Sequence, residues 1–213
     1  MKFGLKTLST LLCLAGCGAL PTYGALEITG NIDQPEAGRQ ISVTTWNVGY
    51  GALGTEADFL ADGGEHVRAL SSDEIAVAVS EIGHKVGGFN TQFILLQELA
   101  NSSYLTRNNP VRSEIEQNLQ NYSSVYWEDL GVSVAPKPFL ISHGMGVYAR
   151  NGIEISNAYE LPQSEGYIFL SVKRYYGTIV TEIPIRGSDR KWILMNVHLS
   201  AFDEGADVRR AQI

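Results

Sequence analysis

The sequence predicts an α/β layered fold, sheets covered by helices, and three features of the chain lead there. Apolar segments follow one another in the order strand, helix, strand, helix and then several strands. One early segment repeats its apolar side chains at helical spacing behind a capping sequence. Three apolar strands end on polar residues, Asn47, Glu98 and His198, which puts those groups at a sheet rim.

The first strand is Ile41-Ser42-Val43-Thr44-Thr45-Trp46-Asn47-Val48, β-branched and partly alternating, with Asn47 near its end. A loop rich in glycine follows, with Gly49, Gly51, Gly54, Gly63 and Gly64. Ser71-Ser72-Asp73-Glu74 has the spacing of a capping box, Ser71 to Glu74. Ile75, Val79, Ile82 and Val86 then form one apolar helical stripe, and Gly87-Gly88 ends it. Gln92 to Glu98 reads as a buried strand carrying a carboxylate at its C-terminal end. A second helix is expected from Val111 to Leu119, then strands at Ser123–Trp127, Gly146–Ala149, Gly177–Ile185 and Lys191–Val197. Gly187-Ser188-Asp189 makes the last two a hairpin. The chain ends on Arg209-Arg210-Ala211-Gln212-Ile213, the beginning of a further helix. No internal repeat or low-complexity run interrupts this order.

Ahead of these elements stands a leader. Lys2 and Lys6 precede an apolar run from Thr7 to Leu14, far shorter than the ~20 residues that span a bilayer, so it reads as an export signal. Leu14-Ala15-Gly16-Cys17 resembles the bacterial lipobox, which implies a diacylglyceryl group on the Cys17 thiol. The alternative is an ordinary signal peptide cleaved near Ala19 or Ala25. Residues 1–17 are thus assigned as signal peptide with lipobox. Residues 18–38 carry few large apolar side chains and several Gly and Pro, and are assigned as a tether. Residues 39–213 are the folded unit. The expected setting is an exported, membrane-anchored lipoprotein at a bacterial surface.

Composition narrows the function. With 213 residues, 44% of them hydrophobic, the chain suffices for one domain with a real core and not comfortably for two. A net charge of -7 excludes the basic footprint of a protein that grips nucleic acid by its phosphates. It does not exclude a small phosphate substrate, because a bound cation reverses the local field. Cys13 and Cys17 are the two cysteines, so the folded unit has no disulfide.

Taken singly, Asn47 reads as a strand-end turn residue, Glu98 as a cap or the partner of a neighbouring Arg, and His198 as a hydrogen-bonded core or edge histidine. Together they form a constellation. A carboxylate suits a hard divalent cation, an amide orients a phosphate oxygen or a metal-bound water, and an imidazole stabilises charge developing on phosphorus. Asp58 and Asp62 in the glycine-rich loop, and Asp203 and Glu204 after the histidine, are read as solvated acids near the same rim.

Three segments carry a resemblance: Thr45-Trp46-Asn47-Val48-Gly49-Tyr50-Gly51, Leu96-Gln97-Glu98 and Asn196-Val197-His198-Leu199. In this order they are similar to successive motifs of the endonuclease/exonuclease/phosphatase family. That family includes pancreatic deoxyribonuclease, apurinic endonucleases, inositol polyphosphate 5-phosphatases and bacterial sphingomyelinases. The spacing agrees, about fifty residues from Asn47 to Glu98 and about a hundred more to His198. Gly144-Met145-Gly146-Val147-Tyr148-Ala149-Arg150 resembles the glycine-led strand between them. The resemblance implies two packed mixed β-sheets flanked by helices, incomplete in this chain. It implies Glu98 as main metal ligand, Asn47 beside the metal or phosphate, and His198 on the phosphate oxygen. The implied ion is Mg²⁺, with Mn²⁺ or Ca²⁺ as alternatives. The implied substrate is a phosphoester, whether small molecule, phospholipid or nucleic acid; no protein partner is expected.

Two family motifs do not follow His198: a Gly-Asp-x-Asn segment, and a Ser-Asp-His segment whose histidine activates water. The residues given therefore read as the front part of the domain, expected inactive alone. The competing expectation is a non-catalytic surface lipoprotein or a decayed gene product.

Overall fold

The computed structural model describes residues 27–29, 35–53, 58, 64–66, 68, 71–132, 140–150, 152–153, 155–163, 174–201 and 204–213. The leader with Cys17, and Asp62 and Asp203, lie outside the described residues. Among the described residues these strands and α-helices follow in chain order: β1 (Glu27–Thr29), β2 (Val43–Asn47), α1 (Ser72–Gly88), β3 (Phe93–Ala100), α2 (Val111–Glu116), β4 (Ser123–Val132), β5 (Ile141–Ala149), β6 (Ile155–Glu160), β7 (Gly177–Pro184), β8 (Lys191–His198) and α3 (Asp207–Gln212).

They build two sheets, one in the order β1-β4-β5-β3-β2 and one in the order β6-β7-β8. In the first, β2 and β3 run parallel because α1 carries the chain back between them, and the other pairs are antiparallel. The second sheet is antiparallel throughout. Its β7–β8 turn contains Gly187 at φ 76°, a conformation open to glycine, and a turn this short reverses the chain.

The long helix forms where its signals predict. Ser71 Oγ accepts from the Glu74 backbone N–H at 3.2 Å, and Asp73 and Glu74 sit in the first turn against the positive end of the helix dipole. Its stripe of Ile75, Val79 and Val86 is buried. That stripe packs with Val111 and Ile115 of α2 on one face of the large sheet, against Ile94, Leu96 and Tyr148. The other face presents Phe93, Leu95, Trp127, Met145 and Val147 to Ile179, Ile183 and Leu194 of the small sheet. Alternation along β3 therefore serves both cores at once, and the molecule has three layers: helices, large sheet, small sheet. Beyond the small sheet Tyr159, Ile193 and Met195 remain more than half exposed.

Part of the stretch expected to be a tether is structured. Glu27–Thr29 pairs with Ser124–Tyr126 as an edge strand, and Glu36 forms a parallel bridge with Arg186. A three-residue edge strand needs only one partner for its backbone groups, so it leaves no hydrophobic period for a sequence window to detect. β6 also escaped the sequence reading.

A buried amide pair crosses between the sheets. Asn196 Nδ2 donates to the Leu96 and Gly146 carbonyls at 2.9 and 2.8 Å, and its Oδ1 accepts from Gln97 Nε2 at 2.5 Å. Asn196 is 1% exposed, so water cannot replace these bonds. Asn196→Leu, which keeps the volume, leaves the Leu96 and Gly146 carbonyls without its donor and the Gln97 amide with Thr45 Oγ1 alone, at 3.2 Å, and is expected to lower the unfolding free energy by about 3 kcal/mol. Urea denaturation measures this, and a loss below about 0.5 kcal/mol would show that the seam contributes nothing.

Candidate functional site

At the C-terminal ends of β2 and β3, beside the end of β8, three polar strand ends meet. Asn47 closes β2 and lies in solvent contact. Its Oδ1 accepts from the Gly49 backbone N–H at 3.0 Å, a local turn that fixes the amide and leaves Nδ2 for the Glu98 carboxylate, to which it is hydrogen-bonded.

Glu98 owes its position to a β-bulge. Leu96 pairs with Gly146 and Leu99 with Gly144, so Gln97 and Glu98 together oppose Met145. Glu98 takes the strain at φ 54°, a left-handed conformation that costs a residue with a Cβ about 1 kcal/mol or more. A second bulge lies across the neighbouring strand. Glu128 pairs with Gly144 and Leu130 with His143, leaving Asp129 as the extra residue of β4. Both bulges flank Gly144, where a Cβ would stand 2.1 Å from the Trp127 carbonyl oxygen. Only glycine lets the strands close there, which gives the glycine-led strand a physical cause.

His198 ends β8 between the two acids. Its Nε2 is 3.4 Å from Glu98 Oε1 and its Nδ1 is 2.9 Å from Asp129 Oδ2. The Tyr176 ring meets the imidazole edge-on, 5.7 Å between centroids. Arg174, on the segment leading into β7, donates from Nη1 to Asp129 Oδ2 at 3.2 Å and from Nη2 to the Tyr50 hydroxyl at 2.7 Å, with Nη1 also 3.0 Å from His198 Nδ1. The Arg174 and Asp129 side chains are 3% and 0% exposed. An ion pair this dry persists only with its hydrogen bonds made.

Charge follows geometry. Burial alone would raise the Glu98 carboxyl, but the His198 hydrogen bond and the Arg174 charge outweigh it and hold the group below its ordinary value. Burial alone would lower His198, yet its bonds to Asp129 and Glu98 hold it above its ordinary value. The site therefore keeps an ionised carboxylate at its mouth and a proton-rich imidazole behind it.

Of the residues expected at the site, Asn47, Glu98 and His198 come together. Asp58, read as a solvated acid, is half-exposed and pairs with His66, 3.1 Å from its Nδ1. Glu204 lies in a 3-10 turn, Glu204–Ala206. Asp129, Arg174 and Tyr50 were not singled out. The sequence marks Asp129 only as the second of two acids that continue the Ser123–Trp127 run, and it does not mark Arg174.

Among the described residues no three His, Cys, Asp or Glu side chains form a metal cage, which disfavours a structural zinc site. Mg²⁺ needs less, one or two carboxylates with several retained waters, and an ionised Glu98 beside the Asn47 amide is a donor set of that kind.

The chain matches no family model and no curated protein. A solved structure does match: the crystal structure of an endonuclease/exonuclease/phosphatase from Beutenbergia cavernae, with a TM-score of 0.51 at 15% identity, over 81% of this chain. That likeness establishes the fold. The chain spans 42% of the length of that neighbour.

Deeper in the same site His143 is fully buried, its Nε2 3.0 Å from Ser103 Oγ and its ring 4.4 Å from that of Tyr50. Burial, reinforced by the Arg174 charge, pushes its imidazole down to about 3 from 6.5. The unfolded chain binds this proton near pH 6.5 and the folded one only near 3. The stability is therefore fully present above pH 6.5 and is lost as pH falls from there towards 3. Urea unfolding in EDTA at several pH values is expected to show a slope shallower in His143→Gln by up to ~1.4 kcal/mol per pH unit. Equal slopes would mean that His143 takes up its proton without unfolding.

Proposed function

We propose that this protein is a divalent-metal-dependent phosphoesterase, a hydrolase that opens a phosphodiester or phosphomonoester bond with water. What carries the reading is the meeting of Asn47, Glu98 and His198 at one rim, with Glu98 held there on a strained bulge. A solvated surface acid has no need of such a conformation, and strain of this kind collects at functional sites.

In this reading Glu98 would hold the ion, and the Asn47 amide beside it would hold the ion or one of its waters. The bound ion would polarise the phosphoryl group and acidify its water. His198 would share its Nε2 proton, which meets Glu98 in the free site, with the phosphoryl oxygen that gains charge as the bond to the leaving group breaks, stabilising it by a charge-assisted hydrogen bond. Asp129, on Nδ1, keeps the ring from turning. The net charge of -7 favours a small phosphoester or phospholipid over nucleic acid. The lipobox resemblance of the leader supports an outside setting, with anchoring through Cys17 as part of this proposal.

The test uses the full open reading frame expressed without its leader. Bis(p-nitrophenyl) phosphate, plasmid DNA and sphingomyelin are offered with Mg²⁺ and with EDTA. Turnover is expected with Mg²⁺ alone, lowered about a thousandfold in Glu98→Ala and about a hundredfold in His198→Ala, both folded by circular dichroism. A folded protein that turns over none of the substrates would leave a binding lipoprotein as the better account.

A further inference from the structure

The loop after β2 contains a conformation that the catalytic reading does not use. Gly49, Tyr50 and Gly51 have φ of 55°, 57° and 65°, a left-handed turn with a tyrosine at its centre. Two glycines adopt this at no steric cost; the tyrosine does not. Its ring is held in place by His143 on one side, 4.4 Å away, and by the Arg174 guanidinium, 5.5 Å from its centroid.

Hydrogen-bond direction says what the strained phenol does. Arg174 Nη2 lies 2.7 Å from the Tyr50 oxygen, and a guanidinium has no acceptor and keeps its protons. The phenol oxygen must accept, so its own proton is directed elsewhere, and the group it meets is the Glu98 carboxylate. Tyr50 and Glu98, both in left-handed backbone conformations, thus face each other across that proton, with Arg174 on the other side of the phenol oxygen. We infer that Tyr50 is a positioning residue for the metal ligand Glu98, and that Arg174 acts through it by fixing the direction of its hydroxyl proton. The inference rests on the metal reading of Glu98 above. The phenol sets the rotation of the carboxylate and so the oxygen lone pairs it offers to an ion. Neither side chain touches the ion.

Hydrogen bonds to a ligating carboxylate are worth roughly ten- to a hundredfold in metal affinity. The experiment is a titration of Mn²⁺ into the metal-free full chain, following the free ion by electron paramagnetic resonance. Wild type, Tyr50→Phe, Arg174→Lys and the double variant are compared, each checked for cooperative thermal unfolding in EDTA. Tyr50→Phe is expected to weaken Mn²⁺ about tenfold without loss of fold. Arg174→Lys keeps the charge but loses the fork that reaches both Asp129 and Tyr50, and is expected to weaken Mn²⁺ as much. The double variant should be no weaker than either single one, because both act through one hydroxyl. Unchanged affinity in a folded Tyr50→Phe overturns the inference even if Arg174→Lys fails to fold, and so do additive losses or full rescue by lysine. A wild-type chain that binds no Mn²⁺ sinks the metal reading, and this inference with it.

Discussion

Arg174 and Asp129 form an ion pair removed from water, and the rim of both sheets is organised around it. The arginine belongs to the segment entering the small sheet and the aspartate to a bulge of the large one. Joining them therefore joins the sheets at the end where His198 emerges. Desolvating two charges costs several kcal/mol, which hydrogen bonds to both partners offset. His198 bonds Asp129 and Tyr50 bonds Arg174, while Asp129 Oδ1 stays buried without a partner, so the groups that compensate the ion pair are also the groups that face Glu98. Folding and site assembly are here one event.

The large sheet contributes strain of a complementary kind. Two bulges on β3 and β4 lie either side of Gly144, and each turns an acid towards the rim that regular pleating would have sent elsewhere. Left-handed Glu98 and Tyr50 each add a conformational cost of roughly 1 kcal/mol or more. The buried cores on both faces of β3, and the Gln97–Asn196 seam beside Glu98, supply the stability that lets those conformations persist. The amide seam sits one residue from Glu98 and two from His198, so it also limits how far the two sheet ends can move apart.

Much of the fold was legible as local pattern. Ser71 and Glu74 marked the start of α1, its apolar stripe marked the buried face, and apolar runs marked β2, β3, β7 and β8. Such features are written within a few residues of one another, where periodicity and capping act. β1 and β6 were invisible because a short or edge strand takes its pairing from a partner distant in the chain. Asn47, Glu98 and His198 could be singled out because each ends an apolar strand, a position that sheet geometry alone makes a rim.

What the sequence by itself determined is thus the order and type of the elements and the three polar strand ends. The tertiary structure alone decided which groups stand behind those ends. Asp129, Arg174 and Tyr50 are separated from His198 by 69, 24 and 148 residues in sequence, the last by way of Arg174 at 124 plus 24. Their selection depends on a bulge, a left-handed turn and a desolvated ion pair, and each exists only once two sheets have packed. No local pattern encodes a burial that both partners of a contact must create together.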